Sequence, residues 1–150
     1  MTHDIAISEI TLRKYEEPYQ LNKRELVKKI CLSLGLLQPG DSRDIIVDVF
    51  LVLIEAKKEK KKLSSEEIQK KVGDLRKKHN LDLKGLADSN IRRQVKRLRD
   101  LFFVEKKNNF YNIIEFQSIS SLFEEKIEKV YLPSILERIK KYLNELDKIS

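Results

Sequence analysis

Apolar residues return at three- and four-residue steps along most of this chain and at two-residue steps only in short stretches, which predicts a mainly helical protein with a small β component. Residues 5–12 alternate irregularly through Ile5, Ile7, Ile10 and Leu12, so a short strand or extended arm is expected there, ended by Pro18. Asn22 followed by Glu25 reads as a capping box opening a helix through Leu26, Val27, Ile30 and Leu34, which stops near Gly35. After a Gln38, Pro39, Gly40 loop, Asp41 or Ser42 is the expected cap of a second helix, with Asp44 in its first turn. That helix is expected to reach about Lys62, its wide apolar face of Ile45, Ile46, Val49, Phe50, Leu53 and Ile54 marking it as the central core helix.

Ser64 and Glu67 form a second capping box, opening a third helix through Ile68, Val72 and Leu75 to about Lys78. Asn80 to Gly85 reads as a loop, and Asp88 or Ser89 as the cap of a fourth helix ending near Leu101. Phe103 to Lys106 and Phe110 to Phe116 read as two strands around a Lys107, Asn108, Asn109 turn. From Ser118 a last helix carries Phe123, Ile127, Val130, Leu132, Leu136, Ile139, Leu143 and Leu146, the later ones near heptad spacing, with a kink expected at Pro133. The organisation expected is an N-terminal arm and helix over residues 1–40, a central domain over 41–116 and a long C-terminal helix over 117–150.

Charge singles out the central domain. The chain carries a net charge of +7 with a pI near 9.4. Residues 41–116 hold 19 lysines and arginines against 13 acids, while the flanking segments are close to balance. A polyanionic partner is the natural inference. The run Lys57, Lys58, Glu59, Lys60, Lys61, Lys62 either complements the negative end of the second helix or touches phosphate, and the sequence leaves both open. No apolar stretch approaches the roughly 20 residues a bilayer requires, because Asp48 and Glu55 interrupt the best one; no membrane association and a cytoplasmic location are expected. Cys31 is the single cysteine and sits among Ile30, Leu32 and Leu34, which suits a buried small hydrophobe better than a nucleophile. No glycine-rich phosphate loop, metal-ligand spacing or nucleophile–base pattern is present, so neither enzymatic activity nor a cofactor, metal or small-molecule ligand is expected.

The fourth helix carries the chemistry. Ile91, Val95 and Leu98 fall on one face, and with Ile91 as zero at about 100° per residue Ser89, Arg93, Lys96 and Arg97 point within about 60° of the opposite direction. Arginine can grip guanine edges bidentately or clamp phosphates. Residues near a helix N-terminus reach base edges first, so Ser89, Asn90 and Arg93 are candidates for base contact and Arg92, Lys96, Arg97 and Arg99 for phosphate. The other reading is a merely solvated basic face.

The segments "LSSEEIQKKV", "SNIRRQVKRLRDLFFVEK" and "NNFYNI" resemble winged helix-turn-helix DNA-binding regulators of archaea and bacteria. The resemblance covers about half of residues 41–116 and none of the flanks. It implies a winged helix-turn-helix whose fourth helix enters the major groove of double-stranded DNA, with Lys106, Lys107, Asn108 and Asn109 in a wing against a minor groove or backbone. The implied role is sequence-specific transcriptional regulation. Phe102 stands where such regulators often carry glycine, and the segment from Gly73 to Ala87 is longer than their usual turn. The competing function is a winged-helix protein–protein interaction module within a transcription, replication or chromosome-segregation assembly; duplex RNA is disfavoured by its deep, narrow major groove. A homodimer is expected through Leu136, Ile139, Leu143 and Leu146, the alternative being that this seam folds back on Leu26 and Ile30.

Overall fold

The computed structural model describes residues 3–150 and is mainly helical with a small three-stranded antiparallel sheet. Residues 3–20 form an arm without helix or ladder partner among the described residues, with turns and bends over its first few residues, so the alternation at 5–12 yields no strand. The arm is tied down at Arg13, whose backbone N–H donates to the Ser33 carbonyl at 2.8 Å and whose guanidinium donates to the carbonyls of Leu32 at 2.8 Å and Leu37 at 3.3 Å. Gly35, at φ +74°, makes this crossing possible, since a Cβ there would fall 2.5 Å from the Thr11 Cβ.

Helix α1 (Lys23–Ser33) opens with the expected capping box: Asn22 Oδ1 accepts the Glu25 N–H at 2.9 Å, and the Glu25 carboxylate accepts the Asn22 N–H. Helix α2 (Ile45–Lys58) is the centre of the core, with Val47, Val49, Phe50 and Leu53 fully buried and α1, α3, α4 and the sheet packed around it. Both of its ends differ from expectation. It starts at Ile45, with neither Asp41 nor Ser42 as its cap, and Asp44 occupies the cap position without capping because its carboxylate turns to Arg24 and Arg76. It stops at Lys58 rather than Lys62, where Lys60 at φ +54° turns the lysine run out of the helix.

The start of α2 is set by a buried ionic cluster beneath it. Arg24 of α1 forks onto Asp48, with Nε donating to Oδ1 at 2.8 Å and Nη2 to Oδ2 at 3.0 Å. Arg76, only 2% exposed, donates to Asp44 at 3.0 Å, to Asp48 at 2.6 Å and to the Asp82 carbonyl at 2.6 Å. Each carboxylate is shared by two guanidiniums, so charge is matched where water is excluded. Burial alone would raise the Asp44 carboxyl, but the hydrogen bonds from Arg24 and Arg76 outweigh it and hold the group below the usual carboxylate range.

Strand β1 (Leu63–Ser64), two residues long and not anticipated from the sequence, leads into α3 (Ser65–Lys78), which carries the expected Ser64–Glu67 capping box. Helix α4 spans Asp88–Asp100 and strands β2 (Val104–Lys107) and β3 (Phe110–Ile113) follow. Ala87 holds the cap position of α4, so neither Asp88 nor Ser89 caps it; Asp88 pairs with Arg92 instead. The sheet order is β1-β3-β2, with Leu63 opposite Tyr111 and Lys107 opposite Phe110. Asn108 and Asn109 both take positive φ, +52° and +64°, as the central residues of a type I′ hairpin turn. The second strand is shorter than the expected reach to Phe116, because Ile114–Phe116 winds into a 3₁₀ turn.

Ser118 caps α5 (Ile119–Leu122), and the chain continues through a π-helical segment, Phe123–Tyr131, into α6 (Leu132–Ile149). At Pro133 the dihedrals of Tyr131 and Leu132 stay helical, and the change is one of hydrogen-bond register: the Leu132 N–H reaches back five residues to Ile127. Proline thereby falls in the first turn of α6, where its missing N–H is not needed. Leu122 and Ile127 are buried in the core, whereas α6 buries none of its residues, so the seam does not fold back on Leu26 and Ile30. Among the described residues no helix is long and apolar enough to cross a membrane.

Candidate nucleic-acid interface

Helix α4 is fixed by its apolar side. Ile91, Val95 and Leu98 are fully buried against α2 and α3, as their spacing predicts. The opposite side is open: Ser89, Arg92, Arg93 and Lys96 are exposed, while Arg99 is half-buried. Arg92 and Lys96 each meet an acid one turn away, Asp88 at 3.0 Å and Asp100 at 2.9 Å. These pairs are more than half exposed on the cation side and can exchange for phosphate at little loss, because surface ion pairs contribute at most about 1 kcal/mol.

Two of the expected contact residues have structural duties. Arg97 is not free on the outer face: its Nη2 donates to the Leu36 carbonyl at 2.7 Å and its Nη1 to Gln94 at 2.9 Å, which ties α4 to the loop after α1. Asn90 donates to the Gly85 carbonyl at 2.7 Å and accepts from Arg93 and Gln94 at 3.0 Å each. Base contact by Asn90 would require breaking that set. Arg93 keeps most of its donors free, since among the described residues only Nη2 is used within the chain.

The hairpin enters through the end of α4. Phe102 at φ +70° does what glycine usually does after a helix: its N–H donates to the Arg99 carbonyl at 3.0 Å and the Phe103 N–H to the Leu98 carbonyl at 3.1 Å. The ring stands edge-on to Tyr131, 5.0 Å between centroids, and the Tyr131 phenol both accepts from the Glu9 N–H at 3.1 Å and donates to the Glu9 carbonyl at 3.0 Å. The end of α4, the π-helical segment and the N-terminal arm therefore meet at one point. Beyond it, Lys106, Lys107, Asn108 and Asn109 are exposed, with the Lys106 ammonium 5.8 Å from the Tyr111 ring.

Sequence reasoning missed two cations beside α4. A groove of about 630 Å³ runs between α4 and the loops before α2 and α4, and Arg43, Lys84 and Arg93 share its wall. The Arg43 side chain is 91% exposed. The long connection between α3 and α4 positions Lys84, and the only signal in the sequence was its proximity to Gly85, which at φ +86° lies 3.0 Å from an Ile45 side-chain carbon if given a Cβ.

Cys31 is fully buried and burial pushes its thiol up to about 12, which makes it a core side chain. The Leu136, Ile139, Leu143 and Leu146 seam lies on α6, between 48% and 57% exposed, apart from the α4 face. Comparison with protein-family models finds no match, and neither the curated proteins nor the solved structures give a significant one.

Proposed function

We propose that the chain is a winged helix-turn-helix protein that binds double-stranded DNA in the cytoplasm and regulates transcription. The observation that carries this reading is the division of α4 into a fully buried apolar side and an exposed side bearing Ser89, Arg92, Arg93 and Lys96. The element order α2, β1, α3, α4, β2, β3 and the sheet order β1-β3-β2 support the winged architecture. Helix α4 with its side chains, about 10–12 Å across, matches a major groove about 12 Å wide. Arg93 and Ser89 read base edges, Arg92, Lys96 and Arg99 hold phosphates, and Lys106, Lys107, Asn108 and Asn109 lie on the backbone or in the minor groove. Arg43 and Lys84 add phosphate contacts beside α4.

The protein acts as a homodimer through α6, an 18-residue helix that buries no residue and whose Leu136, Ile139, Leu143 and Leu146 keep a heptad seam left about half exposed by the described residues. The test is duplex affinity against salt concentration, where several phosphates per protomer give a log–log slope of roughly −4 to −8. A slope near zero, or no binding at low salt, rejects the DNA reading. Sedimentation of the full chain at micromolar concentration decides the dimer, and a monomer there rejects it.

A further inference from the structure

A second groove, of about 640 Å³, lies between α1, α2 and α3. It is lined by these helices and the connector into β1, with no residue from α4 or from the β2–β3 hairpin. Its floor is apolar, built from the edges of the buried Leu51, Val52 and Leu63 and from the half-buried Leu75. Its walls are cationic: Lys23, Lys58, Lys61, Lys71 and Lys78 surround two acids, Glu55 and Glu59. Glu55 is shared by Lys23 and Lys58, and Glu59 is taken by Lys61. Lys71 and Lys78 have no ion-pair partner among the described residues. Arg24 at the groove's edge is turned inward to Asp44 and Asp48.

We propose that this groove docks an acidic amphipathic helix of a partner protein. Lys71 and Lys78 stand on one face of α3 two turns apart, about 10.5 Å, and Leu75 lies between them. A docked helix with carboxylates at the same spacing and apolar residues between them satisfies both cations and covers the floor. A duplex fits worse, because a phosphate backbone offers nothing to Leu51, Val52 or Leu75. A second copy's α6 is also a poor occupant, its polar positions mixing Arg138, Lys140, Lys141 and Lys148 with Glu137, Glu145 and Asp147. The groove gives the lysine run a role that neither earlier reading covered: Lys58 and Lys61 wall a surface distinct from the α4 face. Partner and DNA can be held together.

The test uses the full-length protein and a short fluorescent synthetic helix with leucines at i, i+3, i+4 and i+7 and glutamates on its flanks. The controls are the same residues in shuffled order and a lysine-for-glutamate version. Saturable binding of the first peptide, with amide shifts at Leu51, Lys71, Leu75 and Lys78, is expected. The double variant Lys71→Glu, Lys78→Glu should weaken it by about tenfold or more, about 1.4 kcal/mol, while its affinity for duplex DNA stays at the parent value. The proposal is overturned by equal binding of the shuffled peptide, by shifts confined to α4 and the hairpin, by full affinity in the double variant, or by absence of binding. Shifts at the groove on adding duplex would make it a nucleic-acid surface instead. Because DNA affinity is read separately, failure here and failure of the DNA reading are distinguishable.

Discussion

Helices α4 and α6 carry similar amphipathic stripes and use them in opposite ways. In α4 the stripe is consumed by the chain itself, with Ile91, Val95 and Leu98 at 0% exposure, so whatever α4 offers a partner lies on its polar side. In α6 the stripe remains about half exposed and the polar side mixes both signs, so what it offers is apolar. An amphipathic pattern says that a helix has a side to bury. What covers that side is decided elsewhere in the chain.

The largest effect separates the two stripes directly. Val95→Asp should unfold the protein, losing more than about 4 kcal/mol because an unpaired charge would enter the core. Leu143→Asp should leave the thermal melt of the body intact and abolish the dimer in sedimentation. A folded Val95→Asp protein, or an unfolded Leu143→Asp protein, would break the comparison.

Next in size is the ionic cluster that fixes α3 against α2, and so sets the bed on which α4 lies. Arg76→Ala leaves Asp44 and Asp48 short of a partner and should cost about 3–5 kcal/mol in denaturant unfolding. The pH dependence has a fixed sign. Asp44 is depressed in the folded state, so its stabilising contribution is present above the unfolded carboxylate value near 4 and fades as pH falls further through the folded value. Acid titration by circular dichroism should show the parent protein losing stability below about pH 4, and the Arg76→Ala variant losing less over the same range.

A smaller pair of effects divides the polar side of α4. Arg97→Ala removes the bond to the Leu36 carbonyl and should cost about 1–3 kcal/mol of stability. Arg93→Ala should leave the melt unchanged while losing about 1–3 kcal/mol of affinity and relaxing base preference on a selected duplex. Equal melts for both variants would mean that Arg97 is no more anchored than Arg93. Smallest is Lys107→Ala, for which uniform weakening on all duplexes and a salt slope reduced by about 1 are expected.

Much of this was legible in the sequence where local rules suffice. The two capping boxes, at Asn22 and Ser64, sit where residue type predicts, and so does the turn at Asn108 and Asn109, although Lys107 belongs to β2 and not to the turn, because a cap or a type I′ turn is decided within a few residues. The side of α4 that is buried followed from spacing alone. The ionic cluster did not. Asp48 and Glu55 both interrupt the apolar run of α2, but the partners of Asp48, Arg24 and Arg76, lie 24 and 28 residues away, and nothing local names them. The same limit hid the role of Arg97, whose acceptor is 61 residues distant, and strand β1, which exists only because β3 is there to pair with it.

Phe102 also bears on how the end of α4 is held. A phenylalanine at φ +70° stores about 1–2 kcal/mol of backbone strain, and its edge-on contact with Tyr131 returns about 0.5–1.5 kcal/mol. That contact exists only once the segment after Ser118 has docked. The end of α4 is thus braced by the segment after Ser118 and, through Tyr131, by Glu9 of the arm. Removing the Tyr131 ring would leave the strain at Phe102 without that offset, so a side chain far along the chain helps to set how firmly α4 joins the hairpin.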